Sequence, residues 1–218
     1  MKSLVLTTLV LSLALLPNIS AYAEDEDVVK LLPPHSHKGS QQLMKVLQWR
    51  NSLREFNDHP IPDEYIGNLL WAGCGINRPK SGKRTAPSAR NQQAIDIYVS
   101  MKEGVYLYLP KKHALKLIIK GDHREKTTLG QEYVKNATLN LIYVADRRKM
   151  KVSKDKQEFY AATDTGFIAQ NVYLYACSCG LGSVVRGSFD GKKLSKLLGL
   201  AKEQFVTLCH SVGHPANQ

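Results

Sequence analysis

The chain has 218 residues and a formal charge of +11. Its cations, Arg147, Lys149, Lys151 and Lys192 among them, are dispersed among acids and apolar residues. Neither the concentrated basic face nor the motif that nucleic-acid binding requires is present, so that class is set aside. Cys74, Cys177, Cys179 and Cys209 all lie in apolar runs and lack the repeated short spacings of a metal site. They read as buried thiols, with pairing in an oxidising compartment as the alternative.

Lys2, the mostly apolar run Ser3 to Leu16, Pro17 and the small-x-small triplet Ala21-Tyr22-Ala23 form an export signal, with cleavage expected after residue 23. The apolar run is short for a bilayer span. The expected mature chain is therefore periplasmic or secreted, with no stable membrane association. Residues 24–39, with Pro33-Pro34 and His35-Ser36-His37, read as a flexible lead-in, and 40–218 as one domain with a substantial core.

A helix is predicted from Ser40 to about Trp49, with Leu43, Val46 and Leu47 at helical spacing. Pro62-Asp63 opens a second, with Ile66, Leu69 and Leu70 on one face and Gly73 and Gly75 at its end. A basic, polar loop follows. Strands are predicted at Ala94 to Met101, Val105 to Leu109 and Leu115 to Ile119, punctuated by Gly104, Pro110 and Gly121. Thr128 to Ala137 reads as a short helix and Leu139 to Val144 as a buried strand. Gln157 to Gly180 reads as a long helix, apolar nearly all round, of the kind found at a packed centre or a subunit interface. Ser183 to Ser188 (strand), Leu194 to Leu200 (helix) and Phe205 to Val212 (strand) complete an α+β domain, helices packed on a central sheet.

Three segments carry chemistry. Arg50-Asn51-Ser52-Leu53-Arg54 puts two guanidiniums, an amide and a hydroxyl at a helix end, a donor set suited to phosphate, although arginines at helix ends also arise from dipole placement alone. Pro87-Ser88-Ala89-Arg90-Asn91 is a turn that can offer an amide and backbone groups to a flat ring, or simply lead into a strand. Gly187-Ser188 lets backbone approach a ligand or a packed neighbour closely.

In this order the segments resemble the FMN-dependent nitroreductase family, in particular its branch of SagB-type dehydrogenases that oxidise azolines in peptides. The likeness runs from about Trp49 to Pro215 and also takes in Leu69-Leu70-Trp71-Ala72, Gly104 to Tyr108, Gly166 to Asn171, Gly180 to Ser183 and Val212-Gly213-His214-Pro215. The resemblance implies a central, mostly antiparallel sheet flanked by helices, and an intertwined homodimer. It implies FMN held at its ribityl phosphate and pyrimidine edge by Arg50, Asn51, Ser52 and Arg54. Pro87, Ser88, Ala89 and Asn91 would come from the other subunit, and Gly187 and Ser188 would lie at the flavin N5–O4 edge. Gln170 and Asn171 would be structural, and no side chain would act as a catalytic group.

The implied reaction passes hydride through flavin N5 from a reduced donor, with NAD(P)H a candidate, to a nitroaromatic, quinone or similar small molecule by a ping-pong mechanism. An inactive flavin- or ligand-binding secreted protein on the same scaffold is the alternative. Two departures matter. The family's basic clamp after the last strand is missing, which leaves Arg84 or Arg186 to supplement Arg50 and Arg54. Arg186 stands where an apolar residue is usual. Lys154, Lys156, Phe159 and Tyr160 do not reproduce the Lys-Tyr pair of azoline oxidation, so that reaction is not expected.

Overall fold

A computed structural model describes residues 28–36 and 41–216; the expected export signal and its cleavage site lie outside the described residues. The first described element is a strand, β1 (Val29–Leu31), inside the stretch expected to be a flexible lead-in. It pairs antiparallel with β7 (Ala114–Lys120). Leu32 is buried just beyond it, and His35 stacks on Trp71 at 3.9 Å. A three-residue strand with exposed side chains has no alternation to betray it; it is held by its edge pairing and by Leu32.

Helix α1 (Leu43–Trp49) has one buried residue, Val46. Helix α2 (Asp63–Cys74) begins with Asp63 and Glu64, whose charges suit the positive helix start. It buries Ile66, Leu69 and Leu70, the apolar face legible in the sequence. Between the helices lies the short β2 (Phe56–Asn57), and after α2 a small hairpin, β3 (Ile76–Arg78) with β4 (Lys83–Arg84).

The central sheet adds β5 (Ile95–Ser100), β6 (Gly104–Leu109), β8 (Leu139–Asp146), β9 (Gly182–Arg186) and β10 (Gln204–Pro215). Its order is β1-β7-β6-β5-β8-β10-β2, with β9 also on β10, and every pairing is antiparallel. All of β8 is buried, as a strand covered on both faces must be. The stretch expected as a helix at 128–137 contains only the single turn α3 (Tyr133–Asn136), after a 3-10 turn at Arg124–Thr127.

On one face, α2 and the long α4 (Lys154–Ser178) pack over Ile97, Leu141 and Tyr143; on the other, α5 (Gly191–Leu197) packs Leu194 with Ile142, Val144 and Cys209. The inner stripe of α4 runs Gln157, Ala161, Asp164, Thr165, Ile168, Ala169, Val172, Ala176. Its opposite side leaves Phe159 and Phe167 exposed, so the all-round apolar pattern reflects a second, uncovered surface. A bulge in β10 falls between Val206 and Leu208 and lets Thr207 Oγ1 reach Thr165 Oγ1 on α4 at 2.9 Å.

Candidate active site

Helix α1 ends when the Arg50 amide donates to Val46 O at 2.8 Å and the backbone turns extended. The Arg50–Arg54 stretch is then tied to β9 by the Leu53 amide, which donates to Ser183 O at 3.0 Å. Leu53 also packs on Gly182, where an added Cβ would meet its side chain at 2.7 Å, so glycine is needed there for close approach. The anchoring turns Leu53 inward and leaves Asn51, Ser52 and Arg54 exposed.

Beside them opens a cleft of about 590 Å³ lined by Trp49, Asn51, Leu53, Tyr173, Cys177 and the stretch from Ser178 to Ser183. A smaller hollow of about 270 Å³ adjoins Ser52, Arg54 and Pro215. Ser52 Oγ lies 3.0 Å from the Tyr173 hydroxyl, and the Arg50 guanidinium stands 5.3 Å from the Tyr173 ring centre. Asn51 Nδ2 donates to Trp49 O at 3.1 Å. Among the described residues no carboxylate pairs with Arg50 or Arg54. Burial pushes the thiols of Cys177 and Cys179 up, Cys179 to about 12, so the cleft's sulfurs stay protonated and weakly nucleophilic.

The second predicted segment docks elsewhere along α4, the helix that carries Tyr173. Ser88 precedes a 3-10 turn at Ala89–Asn91, with Arg90 and Asn91 at φ 53° and 54°. The Ala89 amide donates to the buried Asp164 carboxylate at 3.0 Å, and the Gln93 amide to Ser88 Oγ at 3.1 Å. Burial raises the Asp164 pKa, and the Ala89 amide opposes it. Asp164 and Tyr173 are nine residues apart, about 14 Å along a helix rising 1.5 Å per residue. One chain therefore keeps Pro87, Ser88, Ala89 and Asn91 apart from the Arg50–Arg54 cleft. Gly187 and Ser188 follow β9 and are exposed, and among the described residues no atom lies within 4 Å of where a Gly187 Cβ would sit.

Arg186 behaves differently from the anion-binding side chain expected of it. In the β9–β10 register Arg186 faces Cys209 while Val185 faces His210, so the two arms point to opposite sides of the sheet. Its guanidinium is buried, 3% exposed, and donates to Ser211 Oγ, to Thr127 O and Oγ1, and to Asn140 Oδ1 at 2.7–3.1 Å. Those bonds commit four of its N–H groups inside the protein. Arg84 lies half-buried near the core, its Nη1 donating to Ile95 O. Asn171 ties α4 to α2 through Ala72 O at 3.0 Å, and Gln170 is exposed.

Three residues that the motif reading passed over join the site: Asp164, Tyr173 and His210. Tyr173 also accepts the Val185 amide at 2.7 Å. Beneath its ring, 4.6 Å between centres, lies the fully buried His210, whose Nδ1 is 3.0 Å from the Tyr143 hydroxyl. Burial, reinforced by the charge of Arg186, pushes the His210 pKa down to about 3, so the ring is neutral. Polar residues inside apolar stretches were the available signal, because each needs a partner once buried.

The family model for nitroreductases matches residues 47–214. A Methanocaldococcus jannaschii protein named "Putative nitroreductase" is 32% identical over 79% of this chain and 90% of its own. A solved nitroreductase-like structure from Ralstonia eutropha superposes with a TM-score of 0.82 at 36% identity, covering 87% of this chain and 90% of that one. A more distant structure from Desulfovibrio desulfuricans, described as in complex with FMN, gives a TM-score of 0.61 at 22% identity over 81% and 87% of the two chains. The antiparallel sheet with helices on both faces is the fold these structures share. The chain belongs to the nitroreductase family of oxidoreductases.

Proposed function

We propose that the chain is an FMN-dependent oxidoreductase acting as a homodimer, carrying hydride from a reduced donor, NAD(P)H being the candidate, to a nitroaromatic, quinone or similar acceptor. The observation behind this reading is the pair of guanidiniums, Arg50 and Arg54, flanking Ser52 beside a cleft of about 590 Å³ without a carboxylate partner among the described residues. That volume is ordinary for a cofactor-sized ligand, and free guanidiniums with a hydroxyl are the donors a phosphate monoester takes. The residues present fit FMN, and the FMN in the Desulfovibrio relative supports the choice.

Arg50, Asn51 and Ser52 would hold the phosphate and the pyrimidine edge. Arg54 would place positive charge where the reduced ring carries its negative charge. Gly187 and Ser188 would present backbone to the opposite edge of the ring. Bound FMN supplies the hydride chemistry itself, so no side chain need be a nucleophile or general acid. The openness of the cleft lets donor and acceptor use one face in turn, the basis for a ping-pong order.

The homodimer reading rests on two surfaces. Leu43, Met44, Leu47 and Trp49 of α1 and Phe159 and Phe167 of α4 are exposed, Met44 at 75% and Phe167 at 45%. Exposed apolar side chains on this scale mark an interaction surface. A second copy would bring its Pro87, Ser88, Ala89 and Asn91 to the cleft from which one chain keeps them away. We also propose that the mature chain begins near Glu24 and works in the periplasm or outside the cell, on the strength of the leading segment of the sequence. Placement in the azoline-dehydrogenase branch is proposed on the combined run of motifs from Arg50–Phe56 to Val212-Gly213-His214-Pro215, without the azoline reaction itself.

Purified chain supplied with FMN should turn yellow, elute as a dimer and bleach with dithionite and with NADPH. Flavin that bleaches with dithionite but with no biological donor would favour the inactive binding protein. A colourless monomer that ignores added FMN would sink the proposal.

A further inference from the structure

Among the described residues strand β9 pairs with β10 alone, which leaves the Val185 amide on an edge where no described strand receives it. Tyr173 receives it instead, its hydroxyl oxygen 2.7 Å from that nitrogen. A phenol has one proton to give. With Val185 donating to its oxygen, Tyr173 keeps its proton free to donate to Ser52 Oγ, 3.0 Å away. A serine whose oxygen accepts there keeps its own proton for something else, and Ser52 is exposed and lines the hollow of about 270 Å³ that it shares with Arg54.

Resting on the FMN reading above, we propose that Tyr173 is a positioning residue that sets the direction of the Ser52 hydroxyl, making Ser52 an obligate donor to an oxyanion of the bound flavin. The order of donation runs from the Val185 amide to Tyr173, from Tyr173 to Ser52, and from Ser52 into the hollow that it lines. Tyr173 also offers its ring to Arg50 at 5.3 Å, so one side chain locates two of the expected phosphate ligands. The neutral His210 under the ring adds no competing charge. Because Val185 leads through Arg186 to Gly187, the same hydroxyl fixes the spacing between Ser52 and the backbone expected at the other edge of the ring.

The test is a set of FMN titrations, read by flavin fluorescence, on wild type, Tyr173→Phe, Ser52→Ala, the double variant and Ser52→Thr, each checked for folding by circular dichroism. Tyr173→Phe and Ser52→Ala should each weaken FMN about ten-fold, one charge-assisted hydrogen bond's worth. The double variant should match Ser52→Ala within about two-fold, because Tyr173 acts through the serine. Ser52→Thr, which keeps the hydroxyl, should stay within about two-fold of wild type. Losses that multiply in the double variant, or a Ser52→Thr chain as weak as Ser52→Ala, overturn the inference. So does a Tyr173→Phe chain that binds as tightly as wild type while wild type binds well. A wild type that takes up no FMN overturns the cofactor reading and this inference together.

Discussion

Arg186 holds Thr127 twice, Nη1 donating to the backbone oxygen at 2.7 Å and Nη2 to the hydroxyl at 3.0 Å, and thereby pins the turn before α3 to the sheet. The cation has Asn140 and Ser211 as further neutral acceptors, and no carboxylate among the described residues pairs with it. Arg186→Met should therefore cost about 2–4 kcal/mol of stability by stranding several buried acceptors, less whatever removal of a buried charge returns. Its FMN affinity should match wild type. Urea unfolding and flavin titration check the two halves; weak FMN binding with full stability would move this guanidinium into the cofactor site.

Arg50 and Ser52 should act together on the phosphate. Replacing both with alanine is expected to weaken FMN by roughly 2–4 kcal/mol, the range for losing charge-assisted hydrogen bonds. Equilibrium dialysis at low and high salt measures it. Unchanged affinity would put the phosphate elsewhere.

Gly187 offers a probe that the fold itself does not feel. A Cβ there meets no described residue within 4 Å, so Gly187→Ala should leave the unfolding free energy of the flavin-free chain within about 0.5 kcal/mol of wild type. If flavin lies against this backbone, the methyl group should still weaken FMN severalfold. A variant normal in both respects removes Gly187 from the site.

His210 gives the protein an acid-side weakness. Its folded pKa, about 3, is depressed below the ordinary 6.5, so the native ring stays neutral while the unfolded chain takes up a proton. The resulting stability is fully present above 6.5 and drains away as pH falls toward 3, at up to about 1.4 kcal/mol per pH unit. His210→Gln, which can still face the Tyr143 hydroxyl, should be less stable than wild type at pH 7 and close on it by pH 4. Denaturation midpoints across that range decide the matter; parallel curves would mean that His210 does not control acid stability.

Met44→Lys with Phe167→Lys places charge on the exposed faces of α1 and α4. Light scattering should then show a monomer where wild type gives twice the mass, with FMN binding lost alongside. A variant that remains dimeric would move the interface to another surface.

The sheet was largely legible because β5, β6, β7 and β8 are mostly apolar stretches cut by Gly104, Pro110 and Gly121, with β8 buried along its whole length. The Arg50–Arg54 segment was legible as a donor set, and the structure puts it beside a cleft. Strand β1 was hidden because its side chains face solvent, and the helix read at 128–137 shrank to one turn because Arg124, Thr127 and Asn140 draw that segment into hydrogen bonds with loop and sheet. Arg186 was read as a ligand because a further cation was expected to supplement Arg50 and Arg54, yet strand alternation decides which side of a sheet it faces, and that parity is visible only once β9 is paired. Tyr173 was silent for a similar reason: its partner Ser52 lies 121 residues away along the chain, and Val185 reaches it only once β9 has folded back beside α4.

Helix α4 is a ruler with a grip at each mark. Asp164 holds the 87–91 turn by the Ala89 amide, and nine residues later Tyr173 holds Ser52 and the edge of β9. A helix turns about 100° per residue, so a single residue inserted between those marks would swing one grip a quarter-turn away from the other while leaving the helix itself intact. Substitutions along that interval are thus easier to accommodate than any change in its length.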